Sequence, residues 1–344
     1  MLTQFPHLPP LEGAAPLPHL GVIRVVGDDA ANFLHNQLTQ DVLLMRLDQS
    51  HLGAFCNAKG RMQASFVFFK PHPSEVLLVC RRDLIAQTIK RLSMFVLRAK
   101  VKLTDASADF QMFGLAGDCL KSLLQNSDPD GLQNTTPLTT PWRRIHLEQD
   151  NADLLTLYPA MGQARALWLS PLPSECTPPA EDALKKPAVV LEPRAQPSTF
   201  PALDADLWQL GDVLSGVAWV EQATFEAFVP QMLNYESVDG VNFKKGCYPG
   251  QEVVARSQFR GTLKRRAYVV QSETAISAGQ EIFSSDAADQ PCGLVAQTAS
   301  FQGHTFAIAE LQTAAAQEKR LHVGACSGPS LQVLPLPYPL REDI

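Results

Sequence analysis

The stretch after Arg266 constrains the fold most. It reads AYVVQ, GQEIFSS, CGLVAQTAS, HTFAIAEL and RLHVGA, short apolar runs separated by Gly, Ser, Asp and Pro turns. A period of two places alternate side chains on opposite faces of a strand. Several such strands in close succession are the pattern of a small all-β barrel or sandwich. That requirement fixes roughly the carboxy-terminal quarter and leaves the rest to be read separately.

Upstream, strands and helices mix without the regular alternation of a doubly wound sheet, which favours an α+β class. LGVIRVVG at residues 20–27 reads as a strand. In DDAANFLHNQLTQDVLLM, the residues Ala30, Phe33, Leu34, Leu38 and Val42 fall near helical spacing, with Asp28 or Asp29 suited to cap them. HLGAFCNAKGRMQASFVFFK reads as two strands joined by a turn at residues 57–60. EVLLVC is a further strand, and Asp83 is placed to cap the helix in DLIAQTIKRLSMFV. LWQLGDVLSGVAWV sets Leu207, Leu210, Val213, Leu214 and Val217 at helical spacing. Residues 1–18 are Pro-rich and read as an extended arm. Residues 125–203, rich in Pro, Thr and Ser, read as long loops around the strand-like RRIHL and ADLLTLYP.

With 45% hydrophobic and 19% charged residues the chain has the composition of a globular protein, not of a disordered one. A formal charge of −6 gives no global reason to bind nucleic acid or an anionic membrane. The seven cysteines are widely spaced and form no C-x-x-C pair, so neither a disulfide framework nor a zinc site is expected. No P-loop, nucleophile elbow, H-E-x-x-H or G-x-G-x-x-G occurs, and the eight histidines show no ligand spacing. The amino terminus lacks a basic n-region and no apolar run is long enough to cross a bilayer, so a cytoplasmic location is expected.

One stretch carries chemistry: DGVNFKKGCYPGQEVVAR, near residue 240. Cys247 lies between Lys245-Gly246 and Tyr248-Pro249-Gly250, with Lys244 behind it and Arg256 ahead. Positive charge or a helix amino terminus lowers a thiol pKa, and the thiolate is the reactive form. Gly250-Gln251-Glu252 is placed to open a helix just beyond the sulfur. The two glycines let backbone approach a ligand closely or take up positive φ. The competing reading is a small buried hydrophobe in a tight loop.

Lys245-Gly246-Cys247-Tyr248-x-Gly250-Gln251-Glu252 resembles the signature of the YgfZ family of folate-binding proteins. GDDAANFLHNQLTQDV, GAFCNAKGRM, FVLRAKV, the segment leading into the signature, and PLPYPL resemble further blocks of that family in the right order. The family is related to the T-protein of glycine cleavage and to a mitochondrial iron–sulfur assembly factor. The resemblance implies an aminomethyltransferase-like fold: two intertwined α+β portions over residues 19–255 and a carboxy-terminal β-barrel over 256–344, around a folate-sized opening. It implies tetrahydrofolate or a derivative as ligand, with iron–sulfur client enzymes as partners, including one that methylthiolates tRNA. Contact with tRNA itself is expected to be indirect. It also implies that Cys247 is the critical residue and that Trp208 stands beside the folate, ahead of Gln231 and Asn234. A second family tryptophan corresponds here to Leu20, which would make one stacking face aliphatic.

The alternative is a folate-dependent aminomethyltransferase. The R-T-G-Y-T-G-E block of the T-protein has no counterpart in RRIHLEQDNADLLTLYP, and the loop matching its catalytic aspartate offers only Asp83. A lone cysteine cannot hold an iron–sulfur cluster within one chain, so any cluster contact needs ligands from elsewhere. Arg256, Arg260, Lys264, Arg265 and Arg266 form a basic stretch suited to steer a polyglutamylated folate tail, an acidic protein surface or tRNA phosphates; a solvated basic loop is the simpler reading.

Overall fold

The computed structural model describes residues 8–127, 137–172, 197–259, 263–317 and 320–341. The chain begins with β1 (Gly13–Pro16), then β2 (Leu20–Val26), α1 (Ala30–His35), β3 (Ser50–Cys56), β4 (Met62–His72), β5 (Glu75–Arg81), α2 (Ile85–Ser93) and β6 (Lys102–Asp105). Strands β2 to β6 form an antiparallel sheet in the order β3-β4-β5-β2-β6. Next come β7 (Phe110–Ala116), α3 (Asp118–Ser127), β8 (Arg144–Leu147), β9 (Ala152–Ala160) and β10 (Gln163–Pro171). These strands pair with β1 in a second sheet, ordered β1-β7-β10-β9-β8. The chain therefore starts one sheet, leaves to build the other and returns, which is the expected intertwining. Pro16 ends an edge strand, where a missing N–H costs no ladder bond.

After α4 (Ala205–Leu214) and α5 (Gln251–Phe259), six strands close a barrel: β11 (Arg265–Ser272), β12 (Glu281–Ser284), β13 (Ala287–Phe301), β14 (His304–Gln312), β15 (Leu321–Val323) and β16 (Ser330–Leu334). Val270, Ile282, Val295 and Leu311 fill its interior. Its outer face, with Val269, Ala299 and Phe306, joins the core of the two sheets. Asn234 clamps β11 with both ends of its amide, donating to the Ala267 carbonyl (2.8 Å) and accepting from the Ala267 N–H (3.2 Å). Within the sheets, Met62 to Lys70 of β4 are buried on both faces, as befits a strand covered on each side.

The hairpin at residues 57–60 forms as the sequence indicated: the Asn57 side chain accepts from Lys59 N–H (2.9 Å) and Arg61 N–H (3.0 Å), and Gly60 takes φ +71°. Other expectations are corrected. α1 stops at His35, and Leu38 and Val42 are buried outside it. Thr39 diverts the chain: its hydroxyl donates to Gly240 O (2.7 Å) and accepts from Ala54 N–H (2.8 Å). Asp29 does not cap α1 with its side chain; its carboxylate accepts from Lys100 N–H (2.7 Å). Asp83 likewise accepts from Gln222 N–H (3.2 Å) instead of capping α2.

The strand-like RRIHL and ADLLTLYP form β8 and β9, but β10 was expected as loop and Gly13–Pro16 as part of an arm; all four strands belong to the second sheet. The boundary expected at residue 256 falls inside α5. The basic stretch is largely tied down. Arg265 pairs with Glu310, and Arg266, buried, pairs with Glu236 and donates to Arg341 O (2.9 Å). Arg260, Cys176 and residues 128–136 and 173–196 lie outside the described residues.

Candidate functional site

Cys247 is exposed, whereas Cys56, Cys80, Cys119 and Cys292 are buried. The turn that presents it is anchored from below. Lys245, two residues earlier, is buried, and its ammonium donates to the His35 carbonyl and to Leu38 O (2.7 Å) while lying 4.7 Å from the centre of the Tyr248 ring. Burial lowers its pKa to about 8, opposed by the charges of Asp41 and the Cys247 sulfur. Tyr248 is buried beside it, and burial raises the phenol pKa.

Gly250 closes the turn at φ +81°; a Cβ there would stand 2.4 Å from Asn57 O and 2.6 Å from Gly60 Cα, so the hairpin of β3 and β4 leaves room for glycine alone. The Gly250 carbonyl then accepts from Val253 N–H (3.1 Å) and Val254 N–H (3.2 Å), opening α5 where the sequence placed it. Gln251 donates its N–H to Tyr248 O (3.1 Å). Arg256 pairs with Glu252 one turn away (3.0 Å), both exposed. Of the charges expected around the sulfur, one is therefore an internal clamp, one is paired along the helix, and Lys244 is exposed.

A second feature lies between the two sheets. A narrow recess, with about 20 Å³ of room inside it, is walled by Trp142, Tyr158 and Trp219 together with Leu52, Val67 and Leu157. At its base Arg165 of β10 pairs with Asp212 of α4, the two being 1% and 5% exposed. The Arg165 Nε, also buried, has no hydrogen-bond partner among the described residues. Trp142 holds φ +63°, an unusual conformation for a bulky residue, and its indole N–H donates to Val238 O (2.9 Å).

The residues expected to hold folate do not line this recess. Trp208 is fully buried behind it, with the Arg165 guanidinium 4.3 Å from its ring centre and Gly114 packed against its other atoms. It is a core residue that supports Arg165. Leu20 is buried in β2 opposite Arg81. Gln231 donates to Val254 O (2.6 Å), tying the chain to α5, and Asn234 is the barrel clamp. Cys247 is not on the recess wall either. The recess residues were missed although a signal existed: Asp212 and Arg165 are single charges inside the apolar runs LWQLGDVL and QARALWLS. A charge so placed needs a partner when buried.

No family model matches the chain. A protein of Photobacterium profundum, described as tRNA-modifying protein YgfZ, is 31% identical over 274 residues, spanning 79% of this chain and 73% of its own length. The chain belongs to the YgfZ family. A YgfZ protein of Sodalis glossinidius is 29% identical over 325 residues, 93% of this chain and 91% of its own. Among solved structures, the glycine cleavage system aminomethyltransferase T of Bartonella henselae superimposes with a TM-score of 0.61 at 14% identity, over 94% of this chain and 85% of that one. This YgfZ-family chain thus has the aminomethyltransferase fold, an α+β body with a closed carboxy-terminal barrel. Among its described residues no helix is long and apolar enough to cross a membrane. No group of three or more His, Cys, Asp or Glu is placed there to hold a metal ion.

Proposed function

We propose that the protein is a tetrahydrofolate-binding accessory factor of the cytoplasm that sustains iron–sulfur client enzymes, including one that methylthiolates tRNA, and that Cys247 is its working thiol. The relatives' name, tRNA-modifying protein, supports the tRNA side of this reading. The observation that carries the ligand is the recess: an aromatic-walled opening with a buried ion pair at its base and an unpaired guanidinium N–H.

A pterin is flat, with one edge of N–H donors and a ring carbonyl. Once the recess widens to admit the ring, Trp142, Tyr158 and Trp219 suit its faces, the Asp212 carboxylate its donor edge, and Arg165 its carbonyl. When bound, a tetrahydrofolate supplies a carrier for one-carbon units; the protein's own residues hold and orient it. Cys247, on the outer surface, is accessible to a partner macromolecule.

The test has two arms. In calorimetry with tetrahydrofolate, Tyr158→Ala should weaken binding by about 1–3 kcal/mol, the loss of one stacking face. Unchanged affinity removes the ligand from this recess. In cells lacking the protein, Cys247→Ala should fold and bind folate normally yet fail to restore iron–sulfur enzyme activity, and full rescue refutes the role of the thiol. The transferase alternative draws on the fold shared with aminomethyltransferase T. It requires turnover with an aminomethylated lipoyl donor that Asp83→Asn abolishes. Asp83 is exposed and engaged with Gln222 N–H, outside the recess wall.

A further inference from the structure

His35 closes α1 and is 8% exposed. Its Nδ1 lies 3.2 Å from an Asp41 carboxylate oxygen. The pair is not aligned as a hydrogen bond, but the negative carboxylate on the Nδ1 side favours the tautomer protonated there, which leaves the lone pair on Nε2, the opposite edge of the ring. That edge faces the cysteine turn: a Cβ on Gly246 would stand 3.4 Å from Nε2. The Lys245 ammonium, bound to the His35 and Leu38 carbonyls, holds the turn against the end of α1. Cys247 is the next residue after Gly246 and is exposed.

We propose that His35, oriented by Asp41, accepts the proton of the Cys247 thiol and so generates its nucleophilic form. This deepens the reading of Cys247 as the working sulfur and rests on it only for the choice of thiol. In the step, the S–H bond breaks, its electron pair stays on sulfur, and the proton passes to Nε2. The resulting imidazolium is balanced by Asp41, and the thiolate is open to a soft electrophile.

Three further groups matter for the protonation state. Burial, and then the Lys245 charge, lower the His35 pKa, while Asp41 opposes them, so the ring is neutral and able to accept near pH 7. Asp41 also acts on Lys70 of β4 and His51 of β3. Burial takes the His51 pKa down to about 4, leaving that ring neutral, and the Lys70 ammonium is bound to Leu43 O (3.2 Å) and Met45 O (2.9 Å).

The test uses iodoacetamide on the full-length protein, following the Cys247 peptide by mass spectrometry from about pH 5.5 to 9.5; the sulfur–carbon bond forms and iodide leaves. His35→Gln should slow alkylation at pH 7 about tenfold and move the profile up by about one unit, the signature of a lost proton acceptor. A profile that superimposes on the native one overturns the proposal. Even slowing at every pH also overturns it, because a ring that only supports the turn would act that way. Should His35→Gln fail to fold, Asp41→Asn keeps the ring and removes its orienting charge. At least a threefold slowing at pH 7 is then expected, and an unchanged rate overturns the assignment. Neither folate nor a client enzyme enters this readout, so its failure and failure of the proposed function are distinguishable.

Discussion

Replacing Asp212 with leucine tests the base of the recess and the reading of Trp208 together. Arg165 is 1% exposed, pairs with Asp212 and lies over Trp208. Removing the carboxylate leaves a guanidinium that cannot lose its proton and that is 1% exposed at the base of a narrow recess. Breaking a buried pair in this way costs about 3–5 kcal/mol. If all 344 residues unfold together, an unfolding entropy of about 2.1 cal/mol/K per residue sums to about 0.7 kcal/mol/K, so the melting temperature should fall by about 4–7 °C. Calorimetric melts of Asp212→Leu and of the double variant Arg165→Met/Asp212→Leu form the assay. The double variant removes the stranded charge and should recover most of the loss, since an apolar pair of similar volume is often as stable as a buried ion pair. A single variant melting within a degree of the native protein, or a double variant no better than the single one, would refute the reasoning. Both variants should bind tetrahydrofolate poorly, because both lack the acceptor for the pterin edge.

Two further outcomes follow from the cysteine turn. Gly250→Ala drives a methyl group into the backbone of Asn57 and Gly60 at positive φ and should cost more than about 2 kcal/mol, whereas Gly246→Ala meets only His35 Nε2 at 3.4 Å and should change stability by less than about 1 kcal/mol; urea denaturation decides, and equal effects would discount the packing of the turn on the hairpin. Lys245 has a folded pKa near 8, below the ordinary lysine value, so from about pH 8 to 10.4 the unfolded chain binds the proton that the folded chain has released. Its contribution therefore destabilises the fold below pH 8, and stability should rise through that window by about 3 kcal/mol. Measured as native minus Lys245→Met, which cancels the cysteine and tyrosine titrations, a flat difference would contradict the burial argument.

What the sequence revealed depended on how local the cause was. The hairpin at residues 57–60 and the helix after Gly250 are set by residues within a few positions, and both were legible. Strands β11 to β15 of the barrel were legible too, as short apolar runs between turn residues, even though β14 is buried from Thr305 to Leu311 and hides its alternation. α1 was overextended because its continuation is decided by Thr39, whose hydroxyl bonds residues 54 and 240. β10 was lost among Pro-rich neighbours, since QARALWLSP is buried along almost its whole length and so shows little alternation. The resemblance singled out Cys247, which the fold exposes, and Trp208, whose ring the fold buries beneath Arg165. Arg165 of β10 and Asp212 of α4 are 47 residues apart, and only the packing of that helix against the second sheet brings them together.

The thiol and the recess are separate surfaces, yet one strand serves both. Leu52 of β3 lines the recess, while Phe55, three residues on, is bridged to Leu38, whose carbonyl anchors Lys245 below the thiol. β3 pairs with β4, which is buried on both faces from Met62 to Lys70, so neither end of this connection lies on a loose loop. Packed interiors move by switching between discrete arrangements instead of bending smoothly. Contact alone does not establish coupling, which needs an element with two arrangements that both surfaces bias. The expected outcome, if β3 is such an element, is that saturating tetrahydrofolate changes the rate at which iodoacetamide alkylates Cys247; an unchanged rate would show that the two surfaces act independently.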